Sequence, residues 1–219
     1  MKKGYIILSG GGDVKTTFQL DEKYFALLKN NKKILYIPIA LNRTTSGYEA
    51  CYDWFSNFIF YHSGKKNINF TMLLENNKVP DFNEFGSIYI GGGNTYKLLD
   101  YIYRKNINDK LVEYVKNGGI IYGGSAGAIV LGKDIRTVEE ENDKNYYFFK
   151  GLDLLKGKSI ICHYKIDMDK KIFEVAKKIN SEIIALPENS GLILNQNGEF
   201  KEKIGNIFIF DKNNKKQNI

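Results

Sequence analysis

The stretch YGGSAGAIVLGK, Tyr122 to Lys133, sets Ser125 between glycine pairs and small residues, after Ile120-Ile121 and before the apolar run Ala128 to Leu131. Three readings compete. The tail Gly127 to Asp134 nearly spells a phosphate-binding P-loop, but Asp134 stands where a Mg²⁺-binding hydroxyl belongs and residues 128–131 suit a buried helix. A helix N-cap would explain the serine, yet not the small residues on both sides. A nucleophile elbow explains both: Gly123, Gly124 and Gly127 allow a sharp strand-to-helix turn that lifts one hydroxyl above a sheet.

Outward from this stretch, short β-branched runs alternate with amphipathic ones. Strands are predicted at residues 5–8, 34–39, 68–74, 87–90, 120–122, 159–162 and 183–186, and helices at 17–29, 48–62, 96–103, 109–116, from 126 onward, and 168–179. Gly118-Gly119 reads as a helix C-cap, and Asn197-Gly198 as the turn of a C-terminal β-hairpin. Such alternation implies an α/β fold, three-layered, with a mostly parallel sheet and helices on both faces. The expectation is a single α/β hydrolytic domain over residues 1–219, in keeping with the length. Three glycine-rich turns, at 10–12, 91–93 and 123–127, follow predicted strand ends, the edge where open α/β sheets bind ligands.

Composition narrows the function classes. Hydrophobic residues make up 43% and charged residues 26%, which points to a soluble globular protein with no membrane span. The net charge of +7 is carried by lysines scattered along the chain, without the interleaved basic and aromatic patch of a nucleic-acid binder. Cys51 and Cys162 lack metal-type spacing and suggest no disulfide framework, in keeping with a reducing cytoplasm. The opening MKKGYIILSGGG has too short an apolar run for a signal peptide and reads as the first strand.

An elbow serine needs a base, and the chain has two histidines. His62 ends the aromatic run YDWFSNFIFYH, where a surface or helix-terminal role is expected. His163 follows a predicted strand on the same sheet edge as Ser125, and chemistry selects it. The base needs a carboxylate to fix its tautomer. Residues 137–143 offer Glu139, Glu140, Glu141 and Asp143, and position alone does not choose among them. An oxyanion hole needs backbone N–H donors: Ala126, next after the nucleophile, and Gly93, at a neighbouring strand end, are the candidates.

Ile88 to Leu99 (IYIGGGNTYKLL), Gly123 to Ala128 (GGSAGA), Ile135-Arg136-Thr137, Cys162-His163-Tyr164 and Ala185 to Asn189 (ALPEN) together resemble the peptidase E (dipeptidase E) family of serine peptidases, which includes cyanophycinases. The resemblance runs from Gly4 to Phe210. It implies a class I glutamine-amidotransferase-like α/β fold, a Ser–His–Asp/Glu triad and cleavage of dipeptides with an N-terminal aspartate. By motif, Ser125 is the nucleophile, His163 the base, and Gly93 with Ala126 the oxyanion hole. Counting from Ile-Arg-Thr places the acid at Glu140, with Glu141 the alternative if one residue is inserted.

The implied reaction is serine-type peptidase chemistry on a small peptide through a Ser125–His163–Glu140 triad and an acyl-enzyme, in the cytoplasm, with no cofactor or metal. The alternatives are a hydrolase of another acidic or isoaspartyl-type peptide and a non-catalytic binding protein that retains the pocket. Glutamine amidotransfer would need a cysteine on the elbow, whereas Cys162 adjoins the histidine. Arg136, Lys165 and Lys170 are candidates for binding a substrate carboxylate, and Glu188 for binding an α-amine or serving as a turn residue. The aromatic helix over residues 52–61 is richer in apolar residues than one buried stripe requires, which suggests either a homodimer contact or deep packing.

Overall fold

The structure, a computed structural model, describes residues 3–28, 33–41, 45–63, 68–138, 142 and 145–219. A seven-stranded sheet runs in the order β3 (Phe70–Met72), β2 (Ile34–Ile37), β4 (Ser87–Ile90), β5 (Ile120–Gly124), β1 (Tyr5–Ser9), β8 (Gly191–Asn195) and β9 (Phe200–Ile204). The first five are parallel, while β8 pairs antiparallel with β1 and forms with β9 the hairpin expected at Asn197-Gly198.

Side-chain alternation explains why these strands read as unbroken apolar runs. Ile6, Leu8, Leu35, Ile37, Ile88, Ile90 and Ile121 enter one core with α3 (Thr95–Arg104), α4 (Asn108–Lys116) and α5 (Ala126–Leu131). Ile7, Ile34, Tyr36, Tyr89, Ile120 and Tyr122 enter another, under α1 (Phe18–Leu27) and α2 (Thr45–Ser63). A parallel sheet covered on both faces must be apolar at every position. Burying Ile129, Val130 and Leu131 of α5 contributes roughly 1.5–3 kcal/mol each.

The alternating pattern implies one sheet; the chain builds two. β6 (Ser159–Cys162) and β7 (Ile183–Leu186) pair parallel to each other, and β10 (Phe208–Phe210) and β11 (Lys216–Asn218) complete a separate four-stranded sheet backed by α6 (Asp169–Ile179). Periodicity identifies strands but not which sheet they join. The two sheets are tied where the site forms: the His163 N–H donates to the Gly10 carbonyl at 3.0 Å.

Helix α2 resolves the aromatic surplus by splitting it. Cys51, Phe55, Phe58 and Ile59 are buried at helical spacing, while Tyr52, Phe60 and Tyr61 are exposed on the outer side. His62 lies at the helix end as expected, but its imidazole is turned inward, 3.5 Å from Asp21. Asp21 is fully buried and accepts hydrogen bonds from Thr17 (2.6 Å) and Tyr122 (2.7 Å).

Burial pushes the Asp21 carboxyl up to about 6, against the lowering influence of Thr17, Tyr122 and His62. An acid whose pKa is raised by folding stabilises the native state below its unfolded pKa, and that contribution is lost as pH rises through the folded one. Stability should therefore decline between about pH 4 and pH 6. Asp21→Asn should remove that decline, a difference on the order of 2–3 kcal/mol across the window. Urea denaturation from pH 4 to 7 checks it; parallel profiles for the two proteins would refute it.

Candidate active site

The site is assembled from strand ends. β1 ends at Ser9, β4 at Ile90 and β5 at Gly124, with Ser9 opposite Gly124 and Ile90 opposite Gly123; in the second sheet Cys162 lies opposite Leu186. Each strand is followed by a polar or glycine-rich turn on this common edge. Ser125 sits at φ 49° and ψ −112°, in the positive-φ region that costs a non-glycine residue of order 1–3 kcal/mol. The fold holds it there: its N–H donates to Ser9 O at 3.2 Å, and its carbonyl accepts from Ala128 and Ile129.

The flanking glycines are required by contact. A Cβ on Gly127 would lie 2.2 Å from Ile90 O, and one on Gly123 would lie 2.6 Å from Gly127 O. The helix start thus packs directly on its neighbouring strand, which aims the serine hydroxyl outward.

Ser125 Oγ is 2.8 Å from His163 Nε2, and His163 Nδ1 is 2.9 Å from Glu188 Oε1. An ionised carboxylate only accepts hydrogen bonds, so the proton belongs on Nδ1 and the Nε2 lone pair faces the serine hydroxyl. Glu140, together with Glu139, Glu141 and Asp143, lies outside the described residues. Glu188 stands on the histidine because β6 and β7 are adjacent and parallel, so that their following residues emerge side by side. The ALPEN segment was visible in the sequence, but nothing local in it signals that pairing.

The Ala126 N–H, first in α5, has no acceptor within its helix. In the turn after β4, the Gly91 N–H donates to Ile37 O and the Asn94 N–H to Ala40 O. Gly92 and Gly93 are left as that turn's donors without an acceptor among the described residues. Gly92 faces Ser125 so closely that a Cβ there would lie 3.2 Å from Ser125 Cβ.

Gly11, at φ +100°, lies against the imidazole; an added Cβ would stand 2.3 Å from His163 Cε1. The turn after β1 therefore acts as a backstop for the His163 ring. Gly11→Ala should displace the ring and reduce kcat/KM by about 10²-fold, in line with a 1 Å misplacement of a reacting group. Steady-state kinetics beside a thermal melt check this, and a variant with native kcat/KM would sink it.

A cavity of about 280 Å³ opens beside Ser125 and His163. Its wall includes Asp13 from the turn after β1, Trp54 and Phe58 from α2, and Tyr89 and Tyr122 from the sheet. The expected carboxylate binders are elsewhere: Arg136 is forked onto Asp134 (3.0 and 3.1 Å from Nε), and neither Lys165 nor Lys170 lines the cavity. Cys162 is buried, its thiol 3.6 Å from the carbonyls of Ser9 and Ser125. A larger hollow of about 550 Å³, bounded by Tyr5, Lys23 and Lys201, contains no member of the serine–histidine–glutamate chain. Among the described residues no group of three or more His, Cys, Asp or Glu is placed to hold a metal ion, and no helix is long and apolar enough to cross a membrane.

The family model for peptidase family S51 matches residues 5–202. The chain belongs to peptidase family S51. Among curated S51-like relatives, a peptidase E of Haemophilus influenzae is 36% identical over 115 residues, covering 50% of this chain and 48% of the relative. A peptidase E of Shewanella denitrificans is 27% identical over 130 residues, covering 59% and 53%. The chain thus spans about half the length of the curated relatives it matches.

Two solved structures share the fold of this S51 chain. One is a candidate peptidase E from Listeria monocytogenes EGD-e, with a TM-score of 0.64, 18% identity and 99% of both chains covered. The other is a peptidase from an acI-B1 actinobacterium, with a TM-score of 0.63, 18% identity, and 99% and 94% covered. They bear out the mixed α/β architecture expected from the alternating pattern.

Proposed function

We propose that this S51 member is a serine peptidase that hydrolyses small peptides through an acyl-enzyme, with Ser125 as nucleophile, His163 as base and Glu188, in place of Glu140, as the orienting acid. The observation that carries the reading is the continuous chain of contacts from Ser125 Oγ through both His163 nitrogens to Glu188. In that order each group does what the next requires.

His163 Nε2 takes the hydroxyl proton as Oγ bonds to the scissile carbonyl carbon. The carbonyl electrons move onto oxygen, where the N–H groups of Gly93 and Ala126 receive the charge. Collapse breaks the carbon–nitrogen bond, and the proton on Nε2 passes to the leaving amine. Water then gives a proton to Nε2 and its oxygen to the acyl carbon. When the carbon–Oγ bond breaks, that proton returns to Ser125.

The cavity lies just below the roughly 300 Å³ at which small-molecule sites begin. That size suits one residue and its peptide bond. Peptides beginning with aspartate, and the alternative acidic or isoaspartyl peptides, call for a cation beside the nucleophile; the acidic group lining this cavity is Asp13. The substrate class is accordingly stated as small peptides.

Fluorophosphonate labelling followed by peptide mapping tests the reading. Only a serine activated by its base reacts at a useful rate, so label is expected on Ser125. An unlabelled Ser125 in folded protein would favour the non-catalytic binding protein instead.

A further inference from the structure

The wall of the Ser125 cavity carries two features that the hydrolytic chemistry does not use. The first is Asp13. Its Oδ1 accepts hydrogen bonds from the Lys15 N–H (3.1 Å), the Thr16 N–H (2.8 Å) and Thr16 Oγ1 (2.7 Å). These fix the carboxylate in one orientation, and Oδ2 has no partner among the described residues. The Thr16 hydroxyl, more than any other group, holds the Asp13 pKa below the ordinary carboxylate value, so the group is anionic at neutral pH.

The second feature is aromatic. Phe58, Tyr89 and Tyr122 are buried behind the cavity, with Tyr89 stacked on Tyr122 at 4.5 Å, whereas Trp54 at the rim is 42% exposed. The hydrocarbon surface of such rings favours apolar groups beside the cavity. A carboxylate entering here meets the like charge of Asp13.

We propose that this cavity is a cation-accepting aromatic subsite: Asp13 takes an ammonium group of the peptide while Trp54, Phe58 and Tyr89 pack the hydrocarbon beside it. Peptides that bring an ammonium with an apolar chain are therefore selected over peptides that bring a side-chain carboxylate. The ammonium comes from either the peptide's own N-terminus or a lysine side chain; the recognising chemistry is the same. Asp13 is a specificity-determining residue, and the inference rests on the peptidase reading of Ser125.

Trp54 is the chain's single tryptophan, so its emission reports directly on ligand entry. The experiment uses full-length protein carrying Ser125→Ala, which prevents turnover. It is titrated with Leu-Leu (α-ammonium), Nα-acetyl-lysine amide (side-chain ammonium), Nα-acetyl-Leu-Leu (no ammonium) and Asp-Leu (ammonium with a carboxylate).

Leu-Leu, the lysine amide, or both should bind about tenfold more tightly than the acetylated dipeptide, as a charge-assisted contact at an exposed site allows. Whichever does so identifies the source of the ammonium. Asp-Leu should bind more weakly than Leu-Leu. Adding Asp13→Asn should abolish the tenfold advantage, and Asp13→Glu should restore part of it, with near-UV circular dichroism confirming that the variants are folded.

The proposal is overturned if neither ammonium ligand outbinds the acetylated dipeptide, if Asp-Leu binds tightest, if Asp13→Asn leaves the ratios unchanged, or if no ligand alters the emission. Failure of the peptidase reading would instead show as absent fluorophosphonate labelling of the native chain.

Discussion

Ser125→Ala is expected to lower kcat/KM for peptide hydrolysis by roughly 10⁴- to 10⁶-fold, the range seen when a triad nucleophile is removed. The variant loses the one oxygen that Gly123 and Gly127 make room to expose, and His163 is left with no hydroxyl to deprotonate. It should fold, because alanine accepts the same packing and the Ser125 N–H contact to Ser9 O belongs to the backbone. Its fluorophosphonate labelling at residue 125 must vanish as well. Hydrolysis within tenfold of the native rate would place the chemistry on another residue.

Glu188→Gln should reduce kcat/KM by about 10²- to 10³-fold, while Glu140→Gln changes it less than about threefold. Glutamine keeps the shape but offers an N–H₂ as readily as an oxygen toward Nδ1, so the imidazole loses its enforced tautomer and the support for its charged form. In a buried triad this change costs about 10⁴. Here the glutamate and histidine side chains are roughly half exposed, and water screens part of the interaction. Steady-state kinetics on both variants decide between the two carboxylates, and the reverse ranking would return the role to Glu140.

The two variants also separate what was legible in the sequence from what was not. Ser125 could be found because an elbow is local: a strand, small residues and a helix within about a dozen positions. His163 followed from the scarcity of histidines and its place after a strand. The acid was assigned by counting from Ile-Arg-Thr to Glu140, a step that assumes the carboxylate comes from the chain between serine and histidine. Glu188 lies 25 positions beyond the histidine, and no periodicity links them. The parallel register of β6 with β7, Cys162 opposite Leu186, makes them neighbours.

The cavity beside Ser125 divides in the same manner. The apolar richness of α2 was evident in its composition, but its rotation was not. Phe55 and Phe58 go inward, Trp54 reaches the rim beside the nucleophile, and Phe60 and Tyr61 face outward. Asp13 follows three glycines and carries no local motif that marks it as part of a site. Only the placement of that turn against His163 and the end of β5 makes it part of the site.

By itself the sequence determined the layered α/β class and singled out Ser125 and His163 as candidates, because these follow from short-range periodicity, local turn chemistry and elimination. The tertiary structure decided how the strands divide between two sheets, that Glu188 meets His163, and which side chains line the cavity beside Ser125. Those outcomes depend on strand register and helix rotation, long-range properties set by packing across the whole core rather than by any neighbouring residues in the chain.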